Sequence, residues 1–209
     1  MSINTKKPAI VETVGSQYLC FTTGDDVVTT FTGKYEEEVE KTDTVKKVKV
    51  SANGDSTDVY GSGKVYDTDS TTTSKDIEVE VIAFPADTIA KALGNKVDEG
   101  GLILAGADRG KPYFAYGKVV QKKHGHFVYE WYPMCKMMEV TDETSTKEEK
   151  FSEQTKTVTI RAYAFNSDGD FSASVDSEGK NFPATLTEEK FFAKPILTPE
   201  DLKTAAGGK

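Results

Sequence analysis

The sequence predicts a mainly β fold: a β-sandwich with one short flanking α-helix and extended loop or terminal arms. Three observations predict it. Apolar and polar residues alternate at period two along most of the chain, turn-forming clusters separate the alternating runs, and only one internal segment carries helix-boundary residues. We assign residues 1–180 to the sandwich and 181–209 to a C-terminal arm.

The strand-like runs appear in the order "YLCFTT", "VVTTFT", "VKKVKVS", "SKDIEVEVIAF", "YFAYGKVV", "HFVYEWYPM" and "KTVTIRAYAF". In "SKDIEVEVIAF", Ile77, Val79, Val81 and Ala83 share one face and Glu78 and Glu80 the other, as the pleat requires. "KTVTIRAYAF" repeats this with Val158, Ile160, Ala162 and Ala164. Their Val, Thr, Tyr and Phe content suits half-buried pleated surfaces. Turns are predicted at "ANGD", "YGSG", "KHGH" and "NSDGD".

The helix is predicted at about 86–94, within "FPADTIAKALGN". Pro85 ends the preceding strand, Asp87 is the expected N-cap, Ile89, Ala90 and Leu93 share a face, and Gly94 occupies C′. The stretch 139–154 is nearly free of apolar residues and reads as a solvated loop. The C-terminal segment joins an extended apolar strip containing Phe191, Phe192, Ile196 and Leu197 to a short helix started by Thr198 and Pro199. That strip is costly to leave in water and must cover its own domain or a neighbour. In the strand at 127–132, Phe127, Tyr129 and Trp131 alternate with Val128, Glu130 and Tyr132. Large side chains on both faces imply that both are covered, one by the core and one by another subunit.

Thirty-four acids against 26 bases give the 209 residues a net charge of −8. Tight nucleic-acid binding needs the opposite sign, because Lys and Arg must displace counterions from phosphate. The two cysteines, Cys20 and Cys135, are far apart in apolar surroundings and read as reduced, buried thiols. An N-terminus without an apolar stretch, and uncharged runs such as "GGLILAGA" that are all far too short to cross a bilayer, lead us to expect a soluble, unexported protein with no membrane contact.

Each chemically suggestive motif lacks groups that its chemistry requires. His124-Gly125-His126 offers two metal ligands, and Cys135 lies roughly 30 Å away along a strand, whereas zinc needs three or four convergent groups. "AGADRGKPYF" has Ala105 where a phosphate loop needs its first glycine and Pro112 where it needs a hydroxyl. "NSDGDF" spaces Asn166, Asp168 and Asp170 like a calcium loop, but Phe171 and Ser177 occupy its glycine and glutamate positions. We therefore expect no catalytic residues, no metal and no cofactor.

The succession "IEVEVIAFPADTIAKALGN", "GGLILAGADRGKPYFAYGKVV", "FVYEWYPMCKM" and "TKTVTIRAYAF" resembles the major tail proteins of long, non-contractile-tailed bacteriophages (siphophages), from about Tyr18 to Phe165. The resemblance implies a virion protein, assembled in the host cytoplasm, of which six copies form a ring. Rings stack into a tail tube through which double-stranded DNA passes without specific binding. Its partners are then copies of itself and the tape measure, distal tail and tail terminator proteins. Loops, hairpins or termini reach the next ring in such proteins; here the N-terminal segment, residues 139–154 and the C-terminal strip are the arms to consider. Glu78 and Glu80 are our lumen-facing candidates, and Tyr129, Trp131, Phe191, Phe192, Ile196 and Leu197 our inter-subunit candidates. The main alternative is a β-sandwich binding module, an adhesin or carbohydrate binder, using the aromatic strand 127–132 as its platform. A sandwich hydrolase lacks a carboxylate pair.

Overall fold

A computed structural model describes residues 7–24, 31–106, 110–142, 146 and 154–208. They form β1 (Val11–Phe21), β2 (Glu40–Thr42), β3 (Val45–Gly61), β4 (Lys64–Val81), α1 (Ala86–Ala92), β5 (Lys96–Val97) and β6 (Ile103–Leu104). There follow β7 (Phe114–Lys122), β8 (Phe127–Asp142), β9 (Lys156–Ala162), β10 (Ala173–Asp176), α2 (Glu188–Phe192) and α3 (Pro199–Ala205). The fold is mainly β, as the alternation predicts. Residues 27–30 of the run "VVTTFT" and most of the polar stretch lie outside the described residues, and Phe31 and Thr32 are not in a strand.

Eight strands make one antiparallel sheet in the order β2-β1-β7-β8-β9-β4-β3, with β10 beside β8; β5 and β6 pair separately. β9 pairs with residues 135–142 of β8 and β10 with 128–131, so the two share one edge of that strand. Only Asp43 and Thr44 join β2 to β3, the two ends of the order. So short a link spans at most roughly 10 Å. Laid flat, the end strands would stand almost 30 Å apart at about 4.8 Å per strand. The sheet therefore curls until its edges approach.

The curl encloses one core and exposes a second face that another core must cover. Inside are Leu19 and Phe21 of β1, Ile77, Val79 and Val81 of β4, Phe114 and Tyr116 of β7, Met137 of β8, and Val158 and Ile160 of β9. Outside, Tyr18 and Cys20 of β1, Val119 of β7, and Tyr129 and Trp131 of β8 pack with Leu186, Phe191, Phe192 and Ile196. β1 serves both cores through its pleat, since Tyr18 and Cys20 point opposite to Leu19 and Phe21. Gly117 makes the outer core possible. A Cβ there would lie 2.8 Å from Phe192 Cε1 and 2.9 Å from Trp131 Cε3.

Four local expectations are revised. "ANGD" is not a turn: β3 runs through it, and Gly54 sits at a bulge where a Cβ would come within 1.9 Å of Thr71 O. α1 starts after Pro85 without a side-chain cap, although Gly94 takes the left-handed C′ conformation (φ 70°) as expected. Glu139–Asp142, expected in a loop, continue β8 because they pair with β9. Phe191 and Phe192 lie in a helical turn capped by Thr187, not in an extended strip. Thr198 and Asp201 do form a reciprocal capping box at α3.

Candidate functional site and assembly surfaces

The feature that most departs from a closed domain is the β3–β4 hairpin. β4 pairs with β9 only over Lys75–Val81; outward from Lys75 its described partner is β3 alone, as far as the turn at Ser62 and Gly63. Both turn residues have positive φ (51° and 76°), the two-residue geometry that suits strand twist. This arm is up to about 35 Å long at roughly 3.3 Å per residue. Its tip, "DVYGSGKVYD", holds Val59, Tyr60, Val65 and Tyr66 at 50, 69, 52 and 84 % exposure. Polar cross-strand contacts stiffen the shaft: Thr68 Oγ1 donates to Asp58 at 2.8 Å and Asn53 Nδ2 to Ser74 Oγ at 3.4 Å.

The polar outer face of β3, β4 and β9 is ion-paired. Glu78 lies 3.2 Å from Lys49 and Glu80 4.0 Å from Lys46. Arg161 grips Asp76 through two hydrogen bonds of 2.7 and 3.0 Å, which hold the Asp76 carboxyl below the usual carboxylate range. Glu78 and Glu80 are thus partly exposed and paired with lysines, not part of a bare acidic strip.

The C-terminal segment forms a clasp over the outer core. Glu188 Oε1 accepts from Tyr18 at 2.5 Å and from Lys41 at 3.2 Å, tying α2 to β1 and β2. Trp131 Nε1 donates to the Phe191 carbonyl at 3.1 Å. Phe192 stacks on Tyr18 with ring centroids 3.9 Å apart. Tyr129, Trp131, Phe191, Phe192 and Ile196, expected at contacts between copies, are buried within their own chain. The reason is the curl, which gives the sheet a second apolar face close enough for the C-terminus to cover. Leu197 is half-buried beside a cavity of about 240 Å³ that Phe165, Val175 and Leu202 also line. The aromatic strand is therefore no open platform for a ligand.

The motifs that resembled chemical sites take structural places. His124 has φ 64° in the β7–β8 turn, and His126 Nδ1 lies 3.5 Å from Ser177 Oγ. Among the described residues no three His, Cys, Asp or Glu side chains converge on a metal position. Lys111 donates to the Met137 and Met138 carbonyls at 3.1 and 2.8 Å, beside a bulge in β8. Asn166 and Asp170 close a turn on each other through bonds of 2.8 and 2.9 Å. Burial pushes the Cys20 thiol up to about 11 and raises Cys135 further, which leaves neither as a ready thiolate. Among the described residues no helix is long and apolar enough to cross a membrane.

Sequence reasoning placed a turn at "YGSG" but missed the arm. The signal was present: between Ser51 and Ser74 the only large apolar residues are the valine–tyrosine pairs either side of the glycines. A two-stranded segment with no apolar face has nothing to hold it against a core.

A family model described as phage tail tube protein matches residues 11–193, most of the chain, including the inner core, the arm, α2 and the outer core up to Phe192. No curated protein matches the sequence. The chain belongs to the phage tail tube protein family, and its role is a structural one in the tail of the virion.

Proposed function

We propose that six copies close into a ring, that rings stack into the hollow tail tube of a long, non-contractile-tailed phage, and that double-stranded DNA passes through the bore on ejection. The observation that carries this reading is the projecting arm. An isolated hairpin is marginal in water, and this one carries its exposed apolar residues at the far end, where another molecule can cover them. β3 is also an edge strand, and ring closure supplies a neighbour for such an edge. On this reading the protein is not an enzyme, it assembles in the host cytoplasm, and it meets the tape measure, distal tail and tail terminator proteins. Glu78 and Glu80 face the bore.

Negative-stain electron microscopy and sedimentation of the purified chain across a concentration series test the proposal. Six-fold rings or tubes with a central channel are expected. A protein that stays monomeric at every salt and protein concentration overturns it.

A further inference from the structure

The arm's tip is an apolar surface that the fold leaves in water, and among the described residues another lies at the opposite end of the molecule. Ile82, Val97, Leu102 and Ile103 are 49, 51, 60 and 39 % exposed. Of these, Ile103, paired with Val97 across β5–β6, lines a cavity of about 250 Å³ beside α1, together with Phe84, Ile89, Leu93 and Val140. The strand register fixes which end this is. Val81, Lys156 and Asp142 lie side by side where β4, β9 and β8 meet, and Asp142 and Lys156 also line the cavity. From Val81 the hairpin runs the other way to its turn at Ser62–Gly63. At roughly 3.3 Å per residue the two surfaces are some 50–60 Å apart along the strands, too far for a tip to reach its own cavity.

We infer that the tip of one copy, led by Tyr60 and Tyr66, docks in the groove between α1 and β5–β6 of a copy in the next ring. The inference rests on the stacked-ring reading and names the surfaces that stack. Two different surfaces at opposite ends make a heterologous contact, which repeats without limit along an axis. A self-complementary tip would stop at a pair. The exposed side chains on the two surfaces sum to roughly 900 Å², near the lower bound of a specific interface. One such contact is weak alone, and repetition around a ring multiplies it. The cavity lining is mostly apolar, with Asn95, Asp142 and Lys156 beside it.

The test uses full-length protein carrying Tyr66→Cys and Leu102→Cys, treated after assembly with a bis-maleimide cross-linker. The native Cys20 and Cys135 are fully buried and do not compete. The double variant is expected to give a ladder of covalent multimers, and each single variant none. Dimers from Tyr66→Cys alone would reveal tip-to-tip contact and overturn the inference. Tubes visible by microscopy without a ladder would also overturn it while leaving the stacked-ring reading intact. If wild-type protein forms neither rings nor tubes, both fall. A second variant, Tyr60→Ser with Tyr66→Ser, guards against failed folding. Its unfolding midpoint should match wild type because both rings are exposed, while the concentration needed for tubes rises about tenfold or more. Unchanged tube formation would refute the docking.

Discussion

Replacing Phe192 with alanine separates a residue of the subunit's own core from one that serves contacts between copies. Phe192 is 2 % exposed, stacks on Tyr18 at 3.9 Å and meets Trp131, Tyr129 and Phe191 with centroids 5.0–5.5 Å away. Its side chain removes about 200 Å² from water, worth on the order of 5 kcal/mol at about 25 cal/mol/Å². The expected loss is about 3–5 kcal/mol, since four large rings leave little room for the site to collapse. For a chain of this length that lowers the melting temperature by roughly 6–20 °C. Urea unfolding followed by tryptophan fluorescence at a concentration too low for assembly reads it directly, Trp131 being the single tryptophan and in contact with the substituted ring. The midpoint should fall with the slope unchanged, and Phe192→Leu should restore most of the loss. A wild-type midpoint combined with poorer assembly would refute the assignment and return Phe192 to an inter-subunit surface.

Other consequences are as concrete. Gly54→Val forces a side chain into the space held by Thr71 O, 1.9 Å from the Cβ position; amide exchange in the arm should accelerate while the two cores keep their protection, and tubes should be lost. Asp76 has a depressed folded pKa because Arg161 hydrogen-bonds its ionised form. Its contribution is therefore present above the unfolded value near 3.9 and is lost as pH falls through the folded value. Arg161 is more than a third exposed, so the contribution is at most about 1 kcal/mol; Asp76→Asn should remove that part of the acid limb below about pH 4 in melting experiments. Thr198→Ala breaks the capping box and should cost about 1 kcal/mol, seen as faster exchange at Asp201 and Leu202 without loss of the sheet.

Period-two alternation made β4 and β9 legible because both have one buried and one polar face. Val79 and Val158 lie inside and Glu78 and Thr159 outside, as the pattern predicts. Two-sided burial was legible at 127–132 as well, but not its cause. Nothing local says that a sheet curls; that follows from two residues joining strands at opposite ends of an order known only from the pairing. The C-terminal aromatics were misplaced for the same reason, since a strip with no visible partner looks like an interface until the second face of the sheet is known. "ANGD" was misread because Asn-Gly favours a hairpin turn, whereas here Gly54 accommodates a bulge in a strand whose true turn lies eight residues later at Ser62.

If Glu78 and Glu80 line a bore, their pairing with lysines changes how the wall treats DNA. A purely acidic lining repels phosphate, and an unpaired basic one captures it by counterion release. A wall of ion pairs does neither, because Lys49 and Lys46 already have Glu78 and Glu80 at 3.2 and 4.0 Å. Removing only the acids breaks that balance. Glu78→Gln with Glu80→Gln removes the Lys49–Glu78 and Lys46–Glu80 pairs, in every copy along the tube. Each further phosphate that a lysine neutralises steepens the dependence of log affinity on log salt by about 0.9. In the phage that carries this chain, the double variant should still build tails, because exposed pairs contribute at most about 1 kcal/mol each. Its DNA ejection should slow, most at low salt, and recover as salt rises. Ejection at the wild-type rate from normal tails at low ionic strength would place this face away from the DNA.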